Sequence, residues 1–495
     1  MNRQITRLAV AGVVLIASLI VATTYWQAWA APSLQDRQDN AIARVAQFRI
    51  DRGDIVNERG RVPLATNLQR KVKGSTFYFR EYPQGPLTAH VVGYSTQARS
   101  RAGLERSMNA YLTGSNANLA TVLDTAVDRL KGGTVHGNSL RLSLNLRAQR
   151  VALAALGRRC GAVVALEPKT GRVLVHAQTP TYDPNLIEKD FARAQRAPGA
   201  ECRPAAPLLV RATDGLYQPG STFKVVTASA AIDSGRFRLD STFQDPGYCE
   251  EYGKRVFNYS DQGTPSGYGT VTLQQAIQNS INSVFCNLGK ELGAGTLVEY
   301  AKRFGFYERP PLETPDNERA PSGLYQRGAL FEPEDDSQVD PGRFAFGQER
   351  LLVTPMQMAM VAATIGNDGA LMEPHVVDTI VAPDGTTIRT TKPKKIRQVV
   401  SKATADAVTE GMKAAVRAGT STAAQLPGVE VAGKTGTAES GQQRVNTVSF
   451  ICFAPADDPK VAVAVFVERQ RSTGGATAAP IARQVLQALL GSPSN

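Results

Sequence analysis

Apolar and polar positions first separate one long apolar run from everything after it. Leu8 to Ala30 carries no charged residue, and Leu8–Ala22 is almost purely aliphatic and small. As a helix rising 1.5 Å per residue, this stretch reaches across a ~30 Å hydrocarbon core. No second such run follows. Residues 31–50 read as a helical connector, and from 51 to about 137 the chain is polar, Gly-punctuated and short-stranded. Leu140–Leu144 alternates with the period of a strand, and Ala148–Leu156 has a helical pattern. Gly161–Leu166 and Arg172–Ala177 are β-rich runs joined by Glu167-Pro168-Lys169-Thr170-Gly171, a hairpin turn signal. Helical patterns follow at roughly 221–233, 272–292, 295–304, 354–365 and 402–417. Thr447–Phe453 and Lys460–Val467 form a second β pair, and Ala476–Leu490 a closing helix. Strands at both ends with helices between them predict one sheet completed by distant segments and covered by helices. The Pro-, Glu- and Asp-rich stretch 308–342 reads as a surface insertion, and no internal repeat is present.

Charge orients the apolar run. Arg3 and Arg7 precede it, Asp36 is the first acid, and Trp26 and Trp29 lie at its far end, where aromatic rings favour the interface. The positive-inside rule places the short N-terminus in the cytoplasm and residues from about 31 outside. The rival reading is a cleaved signal peptide, since Ala28-Trp29-Ala30 resembles a cleavage site. The net charge of +12 then suits anionic lipid or an anionic wall polymer, or is a basic surface with no particular ligand. Nucleic acid is excluded, because no basic run is interleaved with aromatics. Only four histidines occur, with no H-E-x-x-H and no C-x-x-C, so neither a metal nor a cofactor is expected. Five cysteines leave at least one unpaired. Cys202 and Cys249, in polar sequence, are the expected disulfide; Cys286 and Cys452, in apolar runs, read as buried thiols.

The candidate chemistry starts at Ser221-Thr222-Phe223-Lys224, where Ser221 alone among the serines has a lysine three places on. Pro219-Gly220 sets a helix start, and Phe223, Val226, Thr227 and Ala230 would be the buried stripe. Ser221 and Lys224 then share a face. A serine hydroxyl needs a base, and a neutral lysine serves if its pKa falls from about 10.4 toward 7, a cost of about 4 kcal/mol. Desolvation and a second cation push that way. Two unrelated surface residues are the plain alternative for S-x-x-K alone. However, Ser280-Ile281-Asn282 lies downstream in a helical region able to face Ser221, and Lys434-Thr435-Gly436-Thr437 opens a β segment. A strand edge there would bind a substrate backbone and present a cation. The other K-T-G, at Lys169, sits in a hairpin turn and reads as turn chemistry. Gly428-x-x-x-x-Gly433-Lys434-Thr435 also matches the P-loop pattern letter for letter. Such a loop must open a helix. Here Val429–Ala432 is strand-like, Ala438–Gln443 is a poor helix start, and the site lies outside the cell, away from ATP.

The ordered set S-x-x-K, S-x-N, K-T-G resembles that of penicillin-binding proteins and serine β-lactamases. Tyr217–Lys224 is similar to the family's nucleophile segment, and Thr181–Asn185, Phe346-Gly347-Gln348 and Thr354–Ala359 resemble further landmarks. Arg52-Gly53-Asp54-Ile55, His90–Tyr94 and Gly103-Leu104-Glu105 are similar to the N-terminal module of class B members, and the whole looks closest to the actinobacterial A type. The resemblance implies an α/β (α+β) fold: a serine β-lactamase/transpeptidase-like mixed sheet covered by helices, after a mostly β, extended N-terminal module and one transmembrane helix. The division it implies is a cytoplasmic tail 1–7, an anchor 8–30, a non-catalytic module 31–140 and a transpeptidase domain 141–491.

It further implies a D,D-transpeptidase acting on peptidoglycan stem peptides or their lipid-linked precursor, and trapped by β-lactam antibiotics. Ser221 would be the nucleophile, Lys224 its base and Ser280 a proton relay. Asn282, Lys434, Thr435, Gly436 and Thr437 would bind substrate, with the backbone N–H groups of Ser221 and Thr437 as oxyanion hole. Protein partners implied for the N-terminal module are a glycosyltransferase or proteins of the division or elongation machinery. About a hundred residues between anchor and transpeptidase region leave no room for a glycosyltransferase domain. No E-x-x-L-N run like that of class A β-lactamases occurs. The alternatives are a D,D-carboxypeptidase or β-lactamase on the same site, and a non-catalytic penicillin-binding scaffold or sensor.

Overall fold

The computed structural model describes residues 2–26, 47–72, 74–115, 134–251, 253–258, 266–439 and 445–491. Most of the expected connector at 31–50, Ala28-Trp29-Ala30 and residues 440–443 lie outside them. Helix α1 spans Asn2–Thr24, and its Arg3–Thr24 stretch, with a mean hydropathy of 2.4, is long and apolar enough to cross a membrane. Val10, Val13, Val14, Leu15, Leu19 and Val21 on it are all exposed.

The N-terminal module is built on a six-stranded sheet. β1 (Ile55–Val56) pairs antiparallel with β2 (Pro63–Val72), which continues into β3 (Ser75–Glu81); on its other side β1 runs parallel to β4 (Ser139–Leu142). Val377–Val381 and Thr387–Thr390 complete the sheet beyond β4. Two of the six strands thus come from far downstream, and β4 itself straddles position 140/141. Arg52-Gly53-Asp54-Ile55 and Gly103-Leu104-Glu105 meet here: the buried Glu105 carboxylate accepts from Arg52 at 2.8 Å and from Arg80 at 2.6 Å. Thr181–Asn185 turns out to be a clamp on this module. The Tyr182 hydroxyl donates to Ala89 O at 3.1 Å, and the Asn185 amide exchanges two 3.0 Å bonds with the Tyr82 backbone.

The second sheet is the one that carries the site. In chain order it comprises β5 (Gly161–Leu166), β6 (Val173–Thr179), β7 (Ala432–Glu439), β8 (Asn446–Ala454) and β9 (Val461–Gln470). It is antiparallel throughout, in the order β7-β8-β9-β5-β6, so β7 is an edge. Val163 and Ala165 point to one face, where α2 (Leu146–Leu156) and the C-terminal helix Gly474–Leu490 pack. Ala162, Val164 and Leu166 point to the other, under the helices between the strands. Burial on both faces explains why β5, β8 and β9 read as unbroken apolar runs.

Four expectations need correction. The helix expected over 272–292 is two: α4 (Leu273–Asn279) and α5 (Asn282–Arg303), parted by Ser280 in the left-handed region at φ 58°; a kink at Gly293 then marks the expected break before 295. α3 (Lys224–Asp233) is buried all round from Lys224 to Ala231 rather than along one stripe. The disulfides are Cys160–Cys202 and Cys249–Cys286, not Cys202–Cys249, and Cys286 is no free thiol; Cys452 is free and buried in β8. Cys286 lies on the face of α5 covered by the hairpin Tyr248–Glu251/Lys254–Phe257, which brings Cys249 onto it. An apolar neighbourhood suits half a buried disulfide as well as it suits a thiol. Finally, 308–342 is a surface insertion only in part: 326–337 is largely exposed, and the remainder is a brace. Leu312 and Leu324 are buried, Glu313 accepts from Val376 and Val377 N at 2.9 and 3.1 Å, and Glu318 accepts from Gly103 N at 3.0 Å.

Candidate active site

The segment ahead of α3 forms a 3₁₀ turn, Gly220–Phe223, which runs straight into the helix. In a 3₁₀ turn, residues three apart eclipse one another, and Ser221, half-buried in this turn, stands three residues before Lys224, the first residue of α3. The turn is fixed from two directions. Gly220 N donates to Gly347 O at 3.0 Å, and Gly347, at φ 78°, lies so close that a Cβ would strike the Gly220 carbonyl. This explains Phe346-Gly347-Gln348. From the other side β7 presses in: a Cβ at Gly436 would strike Pro219 O and the Ser449 hydroxyl. Gly436 is thus what lets the K-T-G strand reach the nucleophile turn.

Lys224 and Lys434 both have side chains shut off from water. Lys224 Nζ donates to Ser280 O at 2.7 Å and Asn282 Oδ1 at 2.8 Å, with Ser280 Oγ at 3.3 Å and the Phe285 ring beneath it at 5.2 Å. Lys434 Nζ donates to the same Ser280 Oγ at 2.8 Å and to Thr435 O at 3.1 Å. Among the described residues, no carboxylate forms an ion pair with either lysine. Burial therefore pushes Lys224 well below the usual lysine range, helped by the Lys434 charge, and burial alone brings Lys434 down to about 7. The left-handed Ser280 is what aims its hydroxyl between the two amines; a non-glycine residue held there costs on the order of 1 kcal/mol, as strained functional positions do.

Lys224, Ser280, Asn282 and Lys434 thus form one hydrogen-bonded cluster, with Ser221 one turn before Lys224. The hydrogen bonds of Thr435 and Thr437 run elsewhere: the Thr435 hydroxyl meets that of Thr420 at 2.8 Å, and the Thr437 hydroxyl accepts from Gly474 N at 3.3 Å. Lys169 lies outside the cluster, in the β5–β6 turn, paired with Asp458 at 2.7 Å. The P-loop reading fails on geometry, because Gly433-Lys434-Thr435 is inside a strand and opens no helix. Sequence reasoning missed the hairpin Tyr248–Phe257, whose Phe257 O accepts from the Asn282 amide at 3.0 Å. Asp245-Pro246-Gly247 was a turn signal that could have marked it.

Comparison with known proteins gives the family. Residues 161–487 match the family model of the penicillin-binding protein transpeptidase domain, and 52–140 that of the penicillin-binding protein A dimerisation domain. The chain is 36% identical to a peptidoglycan D,D-transpeptidase PbpA of Mycolicibacterium smegmatis, over 99% of both chains. It is 35% identical to a PbpA of Mycobacterium tuberculosis, again over 99% of each. The solved penicillin G acyl-enzyme complex of M. tuberculosis penicillin-binding protein A superposes with a TM-score of 0.76 at 34% identity, covering 89% of this chain and all of that one.

Proposed function

The chain belongs to the penicillin-binding protein transpeptidase family, and from that premise we propose that it is a membrane-anchored D,D-transpeptidase that cross-links peptidoglycan stem peptides through an acyl-enzyme on Ser221. The observation that carries the residue roles is the buried pair of lysines sharing Ser280. A neutral amine has two N–H groups and one lone pair. Ser280 O and Asn282 Oδ1 take the two N–H groups of Lys224, leaving the lone pair for the Ser221 proton. Ser221 Oγ then attacks the carbonyl of the penultimate D-alanine, and the proton passes by way of Ser280 to the leaving amine.

Lys434 and Thr435 meet the terminal carboxylate, while Asn282 and the β7 edge at Gly436 and Thr437 hold the substrate backbone as an added strand. The N–H groups of Ser221 and Thr437 receive the oxyanion, worth roughly 3–4 kcal/mol for a lost donor in a comparable site. A neighbouring stem-peptide amine resolves the acyl-enzyme. A β-lactam takes the place of the D-alanyl-D-alanine end and stays on Ser221. Helix α1 anchors the protein with its N-terminus in the cytoplasm and residues 141–491 outside. The module within 31–140 holds a glycosyltransferase or another protein of the division or elongation machinery.

Intact-mass spectrometry of the full-length, detergent-solubilised protein with benzylpenicillin tests this. The expected result is one stable penicilloyl adduct mapping to Ser221 and none on Ser221→Ala. An adduct lost within seconds points to a β-lactamase. No adduct on folded protein overturns the catalytic reading. With stem-peptide substrate, cross-linked dimer rather than free D-alanine separates transpeptidase from carboxypeptidase.

A further inference from the structure

The proposed base is held by Asn282, the first residue of α5, and that helix does not cap itself. Ile281 stands at the N-cap, where its side chain has no oxygen to offer. The cap comes from a separate segment instead. Asn258 Oδ1 accepts from Ser283 N at 3.0 Å, one of the helix's free first-turn donors. Asn258 is itself gripped by the buried Asp245 carboxylate, its amide donating to Oδ1 at 3.0 Å and Oδ2 at 2.9 Å.

The same carboxylate accepts from the Ser283 hydroxyl, from Gly247 N at 2.8 Å and from Tyr268 N at 2.9 Å. One side chain thus ties the helix start to both ends of the hairpin segment, from Gly247 to Tyr268. The hairpin's Phe257 O in turn accepts from the Asn282 amide, and Cys249–Cys286 fastens the hairpin to the same helix one turn on. A carboxylate at a helix N-terminus is also favoured by the aligned peptide dipoles.

We propose that Asp245 is a positioning residue for the reaction, setting the place of Asn282, and through it of Lys224, from behind the N-terminus of α5; the inference rests on the transpeptidase reading above. Asp245 touches neither lysine. Its effect on the chemistry passes wholly through the helix start and the Phe257 carbonyl. Burial works against the Asp245 charge, but the hydrogen bonds of Ser283, Tyr268, Gly247 and Asn258 outweigh it and hold the carboxyl below its usual range, so the group stays an acceptor at neutral pH.

The test is the second-order rate of benzylpenicillin acylation of the full-length protein. It is measured on wild type, Asp245→Asn, Asn282→Ala and the double variant. Asparagine keeps the size of Asp245 but turns an NH₂ toward groups that all donate. The expected slowing is about tenfold to a hundredfold, the scale of lost hydrogen bonds to a charged group. If Asp245 works through Asn282, Asp245→Asn slows Asn282→Ala by no more than about twofold, since coupled sites are not additive. Asp378→Asn, which breaks the remote 2.6 Å Arg172–Asp378 pair, controls for lost stability and keeps the wild-type rate.

Wild-type acylation with an unchanged Asp245→Asn rate overturns the inference. So does a slowing that is as large in the Asn282→Ala background as in wild type. Failure of the wild type itself to acylate at Ser221 overturns the transpeptidase reading instead. Should Asp245→Asn not fold, Ser283→Ala, which deletes a single donor to the carboxylate, must show the same non-additivity.

Discussion

Two of the molecule's buried cation clusters are treated in opposite ways. In the N-terminal module, Arg52 and Arg80 close on Glu105, each within 3 Å of its own carboxylate oxygen. In the second region, Lys224 and Lys434 are as deeply buried but face a serine, an asparagine and backbone carbonyls. Guanidinium does not shed its proton in a protein, so burying it demands an anion. Lysine sheds its proton when desolvated, so burying it without an anion prepares a base. A balanced buried cluster therefore marks structure, and an unbalanced one marks chemistry.

Breaking the balance on the structural side should give the largest effect. Glu105→Ala leaves two buried guanidinium groups without an anion, and loss of one member of such a set costs about 3–5 kcal/mol. Burial works against the Glu105 charge, but Arg80 and Arg52 overcome it and hold its carboxyl below the usual range, so the wild-type cluster stays charged at neutral pH. Chemical denaturation should show an earlier transition for the variant, while the fraction still folded acylates Ser221 at the wild-type rate. Equal loss of acylation in the folded fraction would show that the two clusters are coupled, contrary to the comparison.

The unbalanced side should respond with the opposite sign. Lys434 titrates at about 7 in the folded protein, against about 10.4 in an unfolded chain. Between these values the unfolded chain binds more protons, so stability rises with pH by about 1.4 kcal/mol per unit at this site, and below pH 7 the full cost is felt. Lys434→Met removes a buried charge and keeps the side-chain volume. It should melt higher than wild type at pH 6, by an increment that fades toward pH 10, and should acylate poorly throughout. A thermal-shift series from pH 6 to 10 checks this, and a variant that melts lower at pH 6 would mean Lys434 is stabilised by contacts that outweigh its desolvation.

The same contrast explains what could be read without coordinates. Alternating and continuous apolar runs place four of the five strands of the second sheet, because a sheet covered on both faces leaves a local pattern; β7, Ala432–Glu439, has no such run and is marked only by its Lys-Thr-Gly motif. Thr354-Pro355-Met356 gives the start of the helix Pro355–Ile365 for an equally local reason: the Thr354 hydroxyl caps Gln357 N and proline suits the first turn. Ser280 looked like mid-helix, because a left-handed residue forced by packing carries no mark in a run such as Gln278-Asn279-Ser280-Ile281. The pairing of Cys249 with Cys286, the bracing role of 308–342 and the hub at Asp245 were hidden for a related reason. Each depends on segments tens of residues apart whose meeting is decided by the fold. The lysine pair lay between these cases: motif spacing named both residues, but their shared hydroxyl and missing anion belong to the packed core.

The smallest expected effect is the sharpest check, because the chain carries its own internal control. Lys-Thr-Gly occurs twice, and only position in the fold separates the copies. Lys434 sits within β7 with its amine inside the protein. Lys169 sits in the β5–β6 turn, more than half exposed and paired with the equally exposed Asp458. A surface pair of this kind contributes little, since water and salt screen it and both side chains lose freedom in making it. Thr170 and Gly171 do turn work: the Thr170 hydroxyl accepts from Arg172 N at 3.2 Å, and Gly171 takes a positive φ of 81°. Lys169→Ala should therefore leave both the melting temperature and the benzylpenicillin acylation rate within measurement scatter, at low and high salt alike. A slowing comparable with that of Lys434→Met would mean that the tripeptide acts by its composition. A null result beside a large Lys434 effect assigns the chemistry to the buried place of Lys434 in the fold, without an anion and beside Ser280, and not to the tripeptide itself.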